Sequence, residues 1–262
     1  MSSREKGLAR ILSRPSYAKR LKFVIERISL GASTILDLGC GVGALTKSLA
    51  GKFPSSSIVG VDRSRYLLRE LHKKGIAMTV LADIQNLPLR EDSFDVAVAV
   101  YVLHEIVSSK GTNALIQILG NAADLLRSGG EFVIFDHVNP GDTQILVKLS
   151  AARLAKFKEF QAKFKHRMIT CQYHGEGLIS TSMRDFYDFF TKDWALNSDL
   201  EEEEMNETHT PFTRQELQDF ILKAGFKIER ISSMTPINPR EGMTVQSKVK
   251  LPDRKIFLLA RK

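Results

Sequence analysis

A glycine-rich turn between an apolar run and a helical pattern constrains this sequence most. Residues 34–49 read TILDLGCGVGALTKSL, with glycines at alternate positions, Gly39, Gly41 and Gly43. Glycine adopts positive φ angles readily and has no Cβ to keep a ligand away from the backbone. The pattern therefore predicts a buried strand, a tight turn and the N-terminus of a helix, where backbone N–H groups can bind a small molecule.

Two classes of cofactor bind at turns of this kind, and the glycines alone do not separate them. Gly39, Gly41 and Ala44 fit the G-x-G-x-x-[GA] spacing of dinucleotide-binding folds. Asp37 stands two residues before the first glycine, at the end of the predicted strand. A carboxylate there suits a cationic ligand better than a pyrophosphate. S-Adenosylmethionine carries an ammonium and a sulfonium, so Asp37 favours this cofactor.

A second carboxylate follows the next predicted strand, residues 57–61. Asp62 lies about twenty residues beyond the turn, where a carboxylate accepts hydrogen bonds from both ribose hydroxyls of an adenosyl group. The Asp62–Arg63 pair is compatible with nicotinamide cofactors and with adenosylmethionine. Asp62 therefore predicts an adenosyl ligand without choosing between the two classes.

The D-x-G-x-G-x-G pattern of residues 37–43 resembles the first motif of the class I, or Rossmann-like, S-adenosylmethionine-dependent methyltransferases. The sequence ADIQNLPL at 82–89 is similar to the D-x-x-x-L-P pattern of the small-molecule (type 11-like) branch of that family. The resemblance implies that Asp83 binds the adenine amino group and that the N–H of Ile84 meets a ring nitrogen. It also implies S-adenosyl-L-methionine as the cofactor and methyl transfer as the activity. The residues expected to contact the cofactor are Asp37, Gly39, Cys40, Gly41, Gly43, Asp62, Arg63, Asp83, Ile84 and Val100.

Strand and helix patterns alternate along the first half of the chain, which indicates an α/β fold. Residues 94–100, FDVAVAV, are almost continuously apolar, as expected of a central strand buried on both faces. Residues 226–231 and 256–260 add two strand patterns at the end. The resemblance implies a doubly wound, mostly parallel sheet of seven strands, with the order 3-2-1-4-5-7-6 and the last strand antiparallel.

Residues 138–210 interrupt this alternation. We predict a mainly helical insertion after the fifth strand, with one long helix over 142–168, and a Rossmann-like core made of residues 1–137 plus 211–262. The insertion is expected to be a mobile cap over the acceptor pocket, and the alternative is an ordinary second core or a dimer surface. Five aromatic residues are expected to supply part of an apolar lining for that pocket: Phe186, Tyr187, Phe189, Phe190 and Trp194.

The candidate catalytic residues, Tyr101 and His104, follow the fourth strand, at the edge where open α/β sheets bind ligands. Methyl transfer from a sulfonium is an in-line displacement in which the leaving thioether needs no proton, so the protein mainly orients the reactants. If the acceptor must lose a proton, His104 or His137 is the candidate base, because imidazole titrates near neutral pH. The alternative is that these side chains only pack. The resemblance also makes Arg14 and Tyr17 candidate lid residues over the cofactor.

The acceptor is narrowed only by motifs that the sequence lacks. Methyltransferases that act on exocyclic amines of bases and on glutamine use an [NDS]-P-P-[YF] motif after the fourth strand. This sequence lacks the motif there, so we expect a small or lipid-like acceptor. The formal charge of +8 keeps open an RNA methyltransferase that uses a basic surface. A nicotinamide-dependent reductase and a non-catalytic cofactor binder are the remaining alternatives.

The sequence shows no clustered set of His, Cys and carboxylate ligands around the predicted strand ends, and it has only two cysteines. It therefore predicts no metal site and a methyl transfer that is independent of metal. The apolar stretch at 96–103 is too short to cross a bilayer, and the first residues lack the apolar core of a signal peptide. A cytoplasmic location is expected, with peripheral contact to a membrane left open.

Overall fold

The computed structural model describes residues 7, 15–29, 31–75, 77–236 and 238–262. Arg14, predicted as a lid residue, lies outside the described residues. The helices are α1 (Pro15–Ile25), α2 (Ala44–Lys52), α3 (Arg65–His72), α4 (Leu103–Lys110), α5 (Thr112–Leu125), α6 (Ala151–Lys163), α7 (Met183–Lys192), α8 (Glu201–Asn206) and α9 (Arg214–Lys223). The strands are β1 (Thr34–Leu38), β2 (Ser57–Asp62), β3 (Met78–Leu81), β4 (Phe94–Val100), β5 (Leu126–His137), β6 (Gln144–Leu149), β7 (Cys171–Tyr173), β8 (Leu178–Ser182), β9 (Lys227–Pro236), β10 (Met243–Val245) and β11 (Asp253–Arg261).

Seven strands form the main sheet in the order β3-β2-β1-β4-β5-β11-β9. Strand β11 runs antiparallel to both β5 and β9, whereas β1 pairs in parallel with β2 and β4. Counted along this sheet alone, the order is 3-2-1-4-5-7-6 with the last strand antiparallel, so the predicted fold is confirmed. The carboxyl ends of β1, β2 and β4 consequently meet at one edge.

The central strands are apolar on both faces because helices cover both sides of the sheet. Ile35 faces α1 and α2, and its neighbour Leu36 faces the layer that contains α4, α5 and α9. Successive side chains of a strand point to opposite faces, so a strand covered on both sides needs a continuous apolar run. This requirement explains the run at residues 94–100 and places its end at the ligand-binding edge of the sheet.

A second, antiparallel sheet occupies the predicted insertion, which is therefore mixed rather than mainly helical. Residues 142–168 were expected to form one helix, but the chain forms strand β6 first and α6 begins only at Ala151. The pattern QILVKL alternates between less buried and buried side chains, which is the period of a strand. Ser150 then caps α6, because its hydroxyl accepts the N–H of Arg153.

The second sheet has the order β10-β6-β8-β7, and all of its pairs are antiparallel. Strand β10 comes from residues 243–245, after the predicted end of the insertion at 210. Met243 pairs with Leu149 of β6, and Ser150 donates its backbone N–H to the carbonyl of Gly242. The second sheet is thus completed by a segment from the C-terminal part of the chain.

Aromatic side chains of the insertion form a separate hydrophobic core between α6, α7 and the second sheet. The rings of Phe157 and Phe189 meet edge to face with their centroids 5.0 Å apart. Phe186 and Phe189 are fully buried there, and Trp194 packs against the same core and donates its indole N–H to the Thr191 carbonyl. The five aromatic residues at 186–194 therefore pack as a second core. The prediction that they line the acceptor pocket is wrong.

None of the described helices combines the length and the hydropathy needed to cross a bilayer.

Candidate active site

A cavity of about 670 Å³ opens at the edge where β1, β2 and β4 end. Most of the residues predicted to contact the cofactor line it, namely Asp37, Gly39, Cys40, Gly41, Asp62, Arg63, Asp83, Ile84 and Val100. Gly43 is the exception: it starts α2 in the left-handed conformation, with φ +79°, and a Cβ there would lie 2.3 Å from Leu71. Whether the lining residues contact the cofactor stays a prediction, but they surround one space.

The glycine turn is attached to β2 by its backbone. The N–H groups of Gly39 and Cys40 both donate to the carbonyl of Val61, at 2.9 Å each. Gly39 has φ +71°, and a Cβ at this position would stand 2.7 Å from the side chain of Val102. Glycine is thus required here by conformation and by the close approach of Val102. These contacts fix the position of the turn at the cavity wall.

Asp62 connects the turn to the start of α3. One of its carboxylate oxygens accepts the N–H of Gly41 at 2.9 Å, and the other accepts the N–H of Ser64 at 2.8 Å. Each carboxylate oxygen has two lone pairs, so Asp62 retains acceptor capacity towards the cavity. The backbone contacts hold the carboxylate in one orientation at the cavity wall.

Asp37 is almost fully buried at the base of the cavity. The hydroxyl of Thr46 donates to its Oδ2 at 2.6 Å. Burial raises the pKa of Asp37 to about 7, and the nearby charge of Asp62 adds to this effect. Thr46 contributes a hydrogen bond but no positive charge, so a cationic group placed in the cavity would stabilise the ionised form of Asp37.

Asp83 is more exposed and is paired. Its Oδ1 accepts the N–H of Gln85 at 3.0 Å, and the ammonium of Lys110 donates to its Oδ2. Burial opposes ionisation of Asp83, but these hydrogen bonds leave its pKa below the usual range. Lys110 ends α4, and sequence analysis did not find it because 27 residues separate it from Asp83.

Two tyrosines line the cavity, Tyr17 from α1 and Tyr101 directly after β4. The ring of Tyr17, a predicted lid residue, lies 5.8 Å from that of Tyr101, and Arg20 donates to the Tyr101 hydroxyl at 3.3 Å. Tyr101 has φ +56°, a strained conformation for an aromatic residue that is concentrated at functional sites. Burial raises the pKa of both hydroxyl groups far above the usual value, so neither tyrosine is a base at neutral pH.

His104, the other candidate catalytic residue, does not line this cavity. It is buried, and its Nδ1 lies 2.6 Å from Oδ1 of Asp136, at the end of β5. Burial works against the charged imidazolium, but Asp136 raises the pKa of His104 to about 9. His104 thus keeps its proton at neutral pH, which does not suit a free general base.

His137 and His209 lie beside His104, and each of the three residues offers a ring nitrogen within 4.8 Å of those of the other two. We call these three residues the histidine cluster. The expectation that no set of potential metal ligands gathers at the strand ends is therefore wrong. His209 lies at the end of the insertion, between α8 and α9, and no sequence pattern places it next to the end of β5.

A smaller cavity of about 380 Å³ adjoins the first. The two cavities share Arg63, Glu105 and Ser109. The remaining lining residues of the second cavity are Ser108, Glu202, Glu203, Asn206 and Glu207. Helix α8 of the insertion therefore reaches the rim of the cofactor-sized cavity.

Comparison with known proteins assigns the first part of the chain. Residues 36–134 match the family model of a methyltransferase domain. The chain is 37% identical over 84 residues to the malonyl-[acyl-carrier protein] O-methyltransferase of Legionella pneumophila, and the aligned segment covers 30% of each protein. It is 27% identical over 126 residues to a ubiquinone/menaquinone biosynthesis C-methyltransferase of Syntrophotalea carbinolica, with 46% of this chain and 51% of the relative covered. The chain thus aligns with about half or less of the length of these two relatives.

Solved structures agree with the fold of almost the whole chain. An S-adenosylmethionine-dependent methyltransferase from Mesorhizobium loti superposes with a TM-score of 0.58 at 18% identity, and the match covers 95% of this chain and 99% of the other. The strand order, the glycine turn and the matched domain lead to one assignment. Residues 36–134 therefore form a methyltransferase domain, and the chain has the fold of the class I, Rossmann-like S-adenosylmethionine-dependent methyltransferases.

Proposed function

We propose that this protein transfers a methyl group from S-adenosylmethionine to a small or lipid-like acceptor. The observation that carries the proposal is the arrangement of Asp37, Asp62 and Asp83 around one cavity of about 670 Å³. This volume lies within the usual range for small-molecule sites. Three carboxylates at the ends of three strands match the ammonium, the ribose and the adenine of a single ligand.

Asp37 supports a cationic ligand most directly, because its carboxylate is buried and its hydrogen bonds come from the hydroxyl of Thr46, at 2.6 Å, and from the Thr46 backbone, neither of which carries a charge. In this proposal Asp62 accepts the ribose hydroxyls, while Asp83 and the N–H of Ile84 meet the adenine. When bound, the cofactor supplies an electrophilic methyl group on a sulfonium, and its displacement needs no proton on the leaving thioether. The role of the chain is then to bind and orient the two reactants.

The acceptor would approach from the side of Tyr17 and Tyr101. Val102 and Ile106 add apolar side chains to the lining of the same cavity. By their names, the relatives reported above are a malonyl-[acyl-carrier protein] O-methyltransferase and a C-methyltransferase of ubiquinone/menaquinone biosynthesis. We infer a small or lipid-like acceptor of this general kind, with residues 138–210 as its cover.

The cofactor assignment is tested by calorimetry with the purified chain. We expect S-adenosylmethionine and S-adenosylhomocysteine to bind, and NAD to show no heat of binding under the same conditions. Binding of NAD in preference to both adenosyl ligands would favour the reductase alternative.

The acceptor class is tested with S-adenosylmethionine that carries a radioactive methyl group. Malonyl thioesters, reduced quinone precursors, a total lipid extract and total RNA are offered separately. We expect label in the thioester, quinone or lipid fraction. Label in RNA alone, falling steeply as salt rises, would support the RNA methyltransferase alternative.

A further inference from the structure

The histidine cluster lies where the ends of β4 and β5 meet the insertion. His104 follows β4, His137 ends β5, and His209 stands in the segment after α8. The ring centroids of His104 and His137 are 4.8 Å apart, and those of His137 and His209 are 3.8 Å apart. The cluster adjoins the cavity through Tyr101, whose ring lies 5.5 Å from that of His137. Three imidazoles are thus gathered in a buried place beside the proposed acceptor wall.

Two of the histidines face one carboxylate oxygen. Oε1 of Glu207 lies 4.0 Å from Nε2 of His104 and 3.7 Å from Nε2 of His209. Nδ1 of His104 is held by Asp136, which leaves Nε2 directed at Glu207. A carboxylate on the far nitrogen of a histidine is the arrangement that orients metal-binding imidazoles. His104 is therefore positioned as a ligand is.

One polar atom of the cluster has no partner. Nδ1 of His209 is buried and, among the described residues, has no hydrogen-bond partner. The carboxylates around the cluster include Asp136, Glu204 and Glu207, and the ammonium of Lys192 pairs with Glu204 at 2.7 Å and reaches Glu207 at 3.4 Å. An ion bound between the rings would give the unpartnered histidine a role.

We propose that the histidine cluster, together with Glu207, binds a divalent transition metal such as Zn²⁺. Imidazole and carboxylate ligands suit this ion, and a mixed set of His and Glu is common in sites that leave a position open. Bonds of 2.0–2.1 Å place the ligand atoms of a tetrahedral site about 3.4 Å apart. Glu207 lies 3.7 Å and 4.0 Å from two of the histidines, and the ring nitrogens of the cluster lie up to 4.8 Å apart, so the side chains must move together by up to about 1.4 Å.

Two contacts must change when the ion binds. The rings of His137 and His209 stack with 22° between their planes, so one of them turns for both to reach one ion. Nζ of Lys255 lies 2.6 Å from Nε2 of His137, so this amine must move aside for His137 to bind the ion. Glu207 also lines the second cavity, which gives the ion a path from solvent.

The test uses the full chain, stripped with a chelator and then titrated with Zn²⁺ by calorimetry. We expect one ion per chain, a rise in the unfolding temperature with Zn²⁺, and a Co²⁺ form with visible absorption. His209→Ala and Glu207→Gln should each weaken binding at least about tenfold, in line with losses seen around metal sites. His174→Ala is the matched control, because His174 is exposed and hydrogen bonds Ser180.

The result does not depend on the proposed methyl transfer, because each readout reports the metal itself. His209→Asn replaces His209→Ala if the latter fails to fold, as judged by circular dichroism. Wild-type protein that binds no Zn²⁺ would overturn the proposal. Equal Zn²⁺ affinity in the His209 variant, the Glu207 variant and the His174 control would also overturn it.

Discussion

Oδ2 of Asp62 accepts the backbone N–H of Gly41 at 2.9 Å, across 21 residues of sequence. The carboxylate at the end of β2 therefore holds the glycine turn at the end of β1, in addition to lining the cavity. An effect of Asp62 on ligand binding would have two sources, the lost contact to the ligand and a less ordered turn.

Asp62→Ala is expected to weaken S-adenosylmethionine binding at least about tenfold. A hydrogen bond to a charged group contributes about 1.5–3 kcal/mol net, and about 1.4 kcal/mol corresponds to a factor of ten. Calorimetry measures the affinity directly. Asp219→Ala, at an exposed position of α9, is the matched control. Equal affinities of the two variants would remove Asp62 from the proposed site.

The affinity for S-adenosylmethionine is expected to rise with pH through about 7. Burial raises the pKa of Asp37 to about 7, and a cationic ligand binds the ionised form better, so binding should release a proton near this pH. Below pH 7 the affinity should fall by up to about tenfold for each pH unit. Calorimetry in buffers of different ionisation enthalpy detects the proton.

Asp37→Asn should remove this pH dependence. Asp95→Asn should retain it, because Asp95 is paired with Arg127 at the opposite end of β4. An affinity independent of pH would contradict the assigned role of Asp37.

The stability of the fold should depend on pH in the opposite direction from the affinity. The pKa of Asp37 in the folded chain lies above the unfolded value of 3.8, so its contribution to stability is lost as pH rises from about 4 to about 7.

The main sheet could be predicted because its signals are local. The glycine turn, the run at 94–100 and the carboxylates at 37 and 62 each lie within or next to one strand, and a parallel sheet brings strand ends together by topology. The α/β class and the positions of Asp37 and Asp62 follow from such signals, whereas the strand order and the place of Asp83 and Ile84 were implied by the family resemblance. The side-chain partners of these carboxylates could not be predicted. Thr46 and Lys110 lie on helices, and their local sequence does not indicate that they contact Asp37 and Asp83.

The insertion could not be predicted in the same way because its order comes from distant segments. Strand β6 alternates only over six residues and its partner β10 begins at Met243, so the local pattern before α6 does not distinguish a strand from the start of a helix. The aromatic residues at 186–194 have helical spacing, which does not distinguish a core from a pocket lining. Their burial is decided by α6 and the second sheet, as the contact between Phe157 and Phe189 shows.

Phe186→Ala is expected to destabilise the protein by about 3–5 kcal/mol, because it removes a fully buried aromatic side chain and leaves a cavity in the second core. Chemical denaturation monitored by circular dichroism measures the loss. Met168→Ala, at a side chain that is 84% exposed, is the control and should change stability little. A Phe186 variant as stable as the Met168 control would contradict the packing described for the insertion.

Helix α8 gives the last prediction, which rests on the proposed function. Asn206 and Glu203 line the second cavity, which shares Arg63 and Glu105 with the cofactor-sized cavity. If residues 138–210 cover the acceptor, a bulky side chain at Asn206 should obstruct the acceptor and leave the cofactor site intact. Asn206→Trp is therefore expected to lower kcat/KM for the acceptor at least about tenfold, or by about 1.4 kcal/mol, with little change in the affinity for S-adenosylmethionine.

Lys156→Trp provides the matched control, because Lys156 is an exposed helix position of the insertion and belongs to the lining of neither cavity. It should leave both quantities unchanged. A parallel loss of cofactor affinity in Asn206→Trp would show that α8 supports the cofactor site instead. Normal methylation by Asn206→Trp would place the acceptor away from the second cavity and would exclude α8 as its cover.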